Sequence, residues 1–164
     1  MVEFTVHIRR FALLLLLFCV AAEVSFILLD WHVNYGRLTE IGAIERLFNA
    51  TREDAIGSWF AVTQTFLAAL TALAVFKVRR RTEPVSWAPY GWLVIALFFF
   101  YMSMDDGAKI HERLGTTFKV LNRGSGALGG TLLSYFPSYT WQLVFLPLFG
   151  SLGLFTLWFL WRDT

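Results

Sequence analysis

Four long runs of apolar residues constrain the fold of this chain more than any other feature. A helix needs about 20 consecutive apolar residues to cross a membrane, with a range of about 17–25. Since only a helix satisfies its backbone hydrogen bonds within one span, we predict an all-α integral membrane protein. The third run is short, so we extend its helix through the polar residues that follow it. The predicted spans of this single four-helix transmembrane domain (1–164) are residues 11–29, 56–76, 90–114 and 139–161.

The composition agrees with a membrane location. Hydrophobic residues make up 57% and charged residues 16% of the 164 positions, whereas soluble domains carry about 45–50% and about 25%. The net charge of +2 arises from basic residues at the ends of the apolar runs, which is typical of membrane topology and predicts no nucleic-acid partner. Cys19 is the single cysteine, so no disulfide can form within the chain.

The N-terminal sequence HIRRFALLLLLFCVAAE has the basic start, apolar centre and small residues of a signal peptide. The apolar run resumes as VSFILL after Glu23. This continuation favours an uncleaved membrane anchor over a cleaved leader.

Lysines and arginines predict the orientation. Seven lie on each side of the predicted membrane, but KVRRR (77–81) packs four of them into the short connection between the second and third helices. The positive-inside rule therefore predicts that KVRRR and both termini are cytoplasmic. We expect a bacterial inner membrane.

Two helical stripes predict contacts of different kinds. In the first outer loop, Leu38, Ile41, Ile44 and Phe48 recur at helical spacing, which predicts a short amphipathic helix at the membrane interface. In the second span, small and polar residues recur at steps of four and three, as in faces where membrane helices pack closely. This predicted packing stripe is Gly57, Ala61, Gln64, Ala68 and Thr71.

Acidic residues in two of the spans need a physical reason. Glu23 lies about 18 Å along the first helix from Phe11, where an acid costs about 2.5–3.5 kcal/mol on insertion scales. Asp30 follows seven residues later on nearly the same face, and Asp105 and Glu112 repeat this spacing in the third helix. Four carboxylates would converge if the two helices were neighbours.

Such a cluster, with the nearby histidines, indicates a metal site. The candidate ligands are Asp30, His32, Asp105, Asp106, His111 and Glu112. Their oxygen and nitrogen donors would suit Zn, Fe or Mn. However, a continuous helix would place His111 about 120° around from Asp105, and no His-Glu-x-x-His motif is present. Salt bridges from Lys109 and Arg113 are the structural alternative.

The sequence identifies no catalytic residue, and the Gly-x-Ser-x-Gly signature of a hydrolase is absent. We therefore expect a component or assembly partner of a larger membrane complex, with the lipid bilayer and other membrane subunits, or further copies of the chain, as partners. A metal-dependent membrane enzyme that uses the acid and histidine cluster is one alternative. An ion or proton transporter that uses Glu23 and Asp30 is another.

Overall fold

A computed structural model describes residues 7–83, 85–122 and 141–163 of the chain, and these residues form helices without any strand. Among them, four helices are long and apolar enough to cross a membrane. They are Ile8–Tyr35, Ile56–Thr82, Ala88–Ala108 and Phe145–Asp163. The prediction of an all-helical chain with four candidate spans is thus confirmed.

The helices are α1 (Ile8–Asp30), which continues into a π-helical turn (Trp31–Tyr35), α2 (Gly42–Phe48), α3 (Ile56–Thr82), α4 (Ala88–Ala108), α5 (Ile110–Asn122) and α6 (Trp141–Asp163). The described residues divide into two compact units, of which the first ends at Ala61 and the second begins at Val62. The single transmembrane domain predicted above stays a prediction.

In the first unit, α1 packs against the beginning of α3 through aromatic rings. Phe60 contacts Phe18 and Phe26 edge-on, with ring centroids 6.2 and 5.4 Å apart. Gly57 lies opposite Phe26, and a Cβ atom there would make only an ordinary contact at 3.9 Å. The short helix α2 forms inside the segment predicted to be helical, and its interfacial position stays a prediction.

In the second unit, a small apolar core holds α3, α4 and α6 together. Ala72, Ile95, Ala96 and Phe159 are its buried members. Gly91 of α4 is also buried, and any Cβ atom at this position would overlap the ring of Phe159. Glycine therefore lets α4 approach α6 closely, as small residues do between membrane helices.

Candidate metal site

The third span does not continue as one helix into its polar end. Helix α4 ends at Ala108, and Lys109 adopts the left-handed conformation (φ 53°, ψ 44°) before α5 begins at Ile110. The amide of Lys109 donates to the carbonyl of Asp105, which closes the last turn of α4. The predicted continuation to Leu114 is thus interrupted, and the interruption changes which side chains can meet.

The end of α4 is fixed against α3 close to this break. Ser103 is buried, and its hydroxyl donates a hydrogen bond of 3.0 Å to the carbonyl oxygen of Val62. One helical turn later, Gly107 lies beside Val62, where a Cβ atom would contact the valine side chain at 3.7 Å. These two contacts fix the turn between Ser103 and Gly107, which includes Asp105, against Val62 of α3.

Asp105 is the most deeply buried charged residue described, at 1% exposed. Both of its carboxylate oxygens accept hydrogen bonds from His111. The backbone N–H of His111 donates to Oδ1, and Nδ1 of its imidazole lies near Oδ2, each at 2.8 Å. One side chain therefore satisfies a backbone donor in the first turn of α5, where helices lack internal acceptors, and orients the imidazole ring.

This pairing corrects one expectation. The placement of His111 about 120° away from Asp105 was wrong, because it assumed a continuous helix. Asp105 forms its ion pair with His111, and the salt bridges that Lys109 and Arg113 could form with the acid cluster stay a prediction. The left-handed residue turns the chain so that His111 faces back toward the end of α4.

Three of the predicted ligands come together at this point. Asp105, Asp106 and His111 each offer a ligand atom, and these atoms lie within 4.8 Å of one another. Two ligands of one Zn²⁺ ion, each at about 2.0–2.2 Å, lie at most about 4.4 Å apart. A carboxylate oxygen of Glu112 also lies within 4.8 Å of a ring nitrogen of His111. The ligand atoms would therefore have to move closer together to coordinate one ion.

The remaining candidate ligands belong to the first unit. Asp30, which is partly buried, accepts a hydrogen bond of 2.8 Å from the side-chain amide of Asn34. His32 is exposed in the π-helical turn. Glu23 is exposed on α1 and lines a cleft of about 300 Å³ with Phe26 and Gly57. Coordination by Asp30 or His32, and transport through Glu23 and Asp30, stay predictions.

The stripe of small residues on α3 is only partly covered. Gly57 and Gln64 are half-buried, whereas Ala61, Ala68 and Thr71 are exposed. The buried alanines of α3 are instead Ala69 and Ala72, which share another face of the helix. The role of the stripe in helix packing stays a prediction.

Sequence reasoning missed a second polar cluster, at the opposite end of α4. Asp163 forms an ion pair with Arg79, and the indole N–H of Trp92 donates a 2.8 Å hydrogen bond to the same carboxylate oxygen. Arg79 also pairs with Glu83 at 3.3 Å. A signal for this cluster was present, because the topology prediction places the opposite charges of Arg79 and Asp163 at the same membrane surface.

Comparison with known protein families identifies the family of this chain. Residues 10–163 match the family described as a domain of unknown function, DUF8692, and the chain belongs to this family. No curated protein and no solved structure matches it.

Proposed function

We propose that this protein is an integral membrane protein that binds a divalent transition-metal ion through Asp105, Asp106 and His111. A single observation supports the proposal: a buried carboxylate orients an imidazole with two hydrogen bonds, while a possible ligand atom of Asp106 lies within 4.8 Å of possible ligand atoms of both. Ionisable side chains in membrane segments usually serve a function, because they are costly to insert.

The donor set determines the class of ion. Two carboxylates and one imidazole offer mixed oxygen and nitrogen ligands, which suit Zn, Fe or Mn. A divalent cation would also offset the repulsion between the adjacent carboxylates of Asp105 and Asp106. The ion would act as a Lewis acid or activate a bound water molecule, so the metal-dependent enzyme is the activity that this site would serve.

Elemental analysis of protein purified gently from its own membrane tests the proposal. We expect about one equivalent of transition metal in the wild type, and its loss from His111→Ala and from Asp106→Asn. The matched controls are His7→Ala and Glu40→Gln, which remove an exposed histidine and an exposed acid outside the cluster. The controls should retain the metal.

Thermal unfolding of each variant in detergent separates loss of ligand from loss of fold. Folded wild-type protein without bound metal, which also takes up no Zn²⁺, Mn²⁺ or Fe²⁺ added in solution, would refute the proposal. Equal loss of metal from the controls would refute it as well, because the metal would then be bound elsewhere or non-specifically.

A second candidate function is that of a subunit in a larger membrane complex. Helix α1 favours it, because none of its 23 residues is buried. Lipid would cover such a surface, and so would the helices of a partner. A photo-crosslinking residue at Leu14, which is 65% exposed on α1, distinguishes a protein partner from lipid. The position for comparison is Leu97, which is 60% exposed on α4. Crosslinks to protein at Leu14 but not at Leu97 would support a partner that binds α1. Lipid adducts at both positions would exclude a partner on this face of α1.

We further infer a bacterial inner-membrane location with both termini in the cytoplasm. The support is the concentration of four cations in KVRRR. The metal site would then lie at the outer surface, since it is at the other end of α4 from this connection.

A further inference from the structure

A cleft of about 460 Å³ opens between the beginning of α4 and the last turns of α6, far from the metal site. Its volume is within the range of ligand pockets, about 300–1,000 Å³. The α6 wall consists of residues three and four positions apart on one helical face. The lining residues of α6 are Phe155, Trp158, Phe159, Arg162 and Asp163, and those across the cleft are Ser86, Trp87, Ala88 and Gly91.

The inner part of the cleft is apolar. Phe155 and Phe159 stack with ring centroids 5.8 Å apart, and buried Gly91 lies directly against Phe159. A hydrocarbon chain placed here would contact aromatic rings and a helix backbone that presents no side chain. Burial of each methylene group would contribute about 0.8 kcal/mol.

Arg162 is the cationic side chain at the rim of the cleft. The carboxylate of Asp163 pairs with Arg79, which it shares with Glu83, and it accepts a hydrogen bond from Trp92. In the part of the chain that the structure describes, Arg162 has no carboxylate partner, and its guanidinium lies 5.5 Å above the ring of Trp158.

We infer that this cleft binds one anionic phospholipid, with its phosphate at Arg162 and an acyl chain against Phe155 and Phe159. An arginine forms paired hydrogen bonds with phosphate oxygens, and the rings provide the apolar surface that an acyl chain needs. Basic pockets between membrane helices recognise anionic headgroups in this way. Because Arg162 has no carboxylate partner among the described residues, it favours a headgroup with a net negative charge over a zwitterionic one.

Native mass spectrometry of the delipidated full-length protein tests the inference. Phosphatidylglycerol and phosphatidylcholine with identical acyl chains are added separately, and the bound fractions give two apparent affinities. We expect phosphatidylglycerol to bind more tightly to the wild type. Arg162→Gln should reduce that preference on the order of ten-fold, since a hydrogen bond to a charged group is lost.

The control is Arg81→Gln, which removes an exposed arginine at the same end of the protein but outside the cleft. Arg81→Gln should keep the preference for phosphatidylglycerol. If both variants lose it equally, or if Arg162→Gln keeps it, the lipid is attracted only by the general charge of the surface and the inference fails.

Two further measurements make the outcome independent of folding defects. Arg162→Lys retains the charge but cannot form the paired hydrogen bonds with phosphate, so it should lower the preference by a smaller factor than Arg162→Gln. If Arg162→Gln does not fold, this partial loss is the result expected, and an unchanged preference in Arg162→Lys would overturn the inference. Inorganic phosphate at millimolar concentration should not displace phosphatidylglycerol, because it lacks the acyl chain. Displacement by phosphate would overturn the lipid assignment in favour of a simple anion site.

Discussion

At the scale of single residues, the hydrogen bonds of Asp105 allow an acid to be buried in an apolar helix. A buried carboxylate is costly unless its oxygens are hydrogen-bonded. Both oxygens of Asp105 are satisfied by one residue, His111, through a backbone and a side-chain nitrogen. The same two bonds connect α5 to α4, so Asp105 has a structural role whether or not a metal is bound.

We expect Asp105→Ala to lower the free energy of unfolding by about 1–3 kcal/mol, because buried donors of His111 would lose their acceptors. Asp105→Asn should cost less, about 1 kcal/mol, since its amide oxygen still accepts one of these bonds. Thermal and denaturant unfolding of metal-free protein in detergent measures both.

The control for this prediction is Asp106→Asn at the exposed neighbouring acid. It should change stability by less than about 0.5 kcal/mol, as most surface substitutions do. If Asp105→Ala were no more damaging than Asp106→Asn, the hydrogen bonds described above would not support the fold.

At the scale of helices, the break at Lys109 decides the geometry of the site. A non-glycine residue in the left-handed conformation costs roughly 1–2 kcal/mol, and glycine adopts it without this penalty. Lys109→Gly should therefore be more stable than Lys109→Ala by about 1 kcal/mol. Both variants lose the lysine side chain, so the difference isolates the backbone.

A continuous helix would give the opposite sign, because glycine inside a helix is less stable than alanine by about 0.5–1 kcal/mol. The matched pair Arg113→Gly and Arg113→Ala, within α5, should show that sign. If the Lys109 pair behaved like the Arg113 pair, α4 and α5 would form one helix and the contact between Asp105 and His111 would not exist.

Sequence reasoning predicted the helices well but the site only in part. Long apolar runs specify membrane helices by length alone, and the cost of inserting charge identified Asp105, Asp106 and His111 as functional candidates. Sequence reasoning missed the break at Lys109 because a lysine gives no local signal for a left-handed turn. The nearest glycine, Gly107, lies two residues earlier and inside α4.

The faces of α3 illustrate a second limit. Regular spacing shows that Gly57, Ala61 and Ala68 share one face, but it does not show which face meets a neighbouring helix. In a membrane, lipid is as apolar as a leucine side chain, so burial in protein and exposure to lipid select similar residues. Ala69 and Ala72 are buried, although their spacing in the sequence is no more distinctive than that of the predicted stripe.

At the scale of the whole molecule, the orientation is testable with single cysteines. In a Cys19→Ser background, a cysteine at Thr82, beside KVRRR, should react with a membrane-impermeant maleimide only in inverted vesicles. A cysteine at Thr116, in α5, should react only from the outer side of intact cells. The concentration of positive charge in one short connection is the physical reason.

Both positions are exposed, so each has access to the reagent from its own side. The reverse labelling pattern would place KVRRR and the termini outside and the proposed metal site in the cytoplasm. In that case, replacing the arginines of KVRRR with glutamine should leave the orientation unchanged. If the positive-inside rule sets the orientation, the same replacement should instead give a mixture of orientations.

The spacing of the two polar clusters of α4 predicts an effect on a bilayer that this helix would span. Trp92, bonded to Asp163, and Asp105, bonded to His111, are thirteen residues apart, which is about 20 Å along a helix. An undisturbed hydrocarbon layer is about 30 Å thick. This hydrophobic mismatch would draw headgroups toward the protein beside α4, so we expect the chain to favour thin membranes over thick, sterol-rich ones.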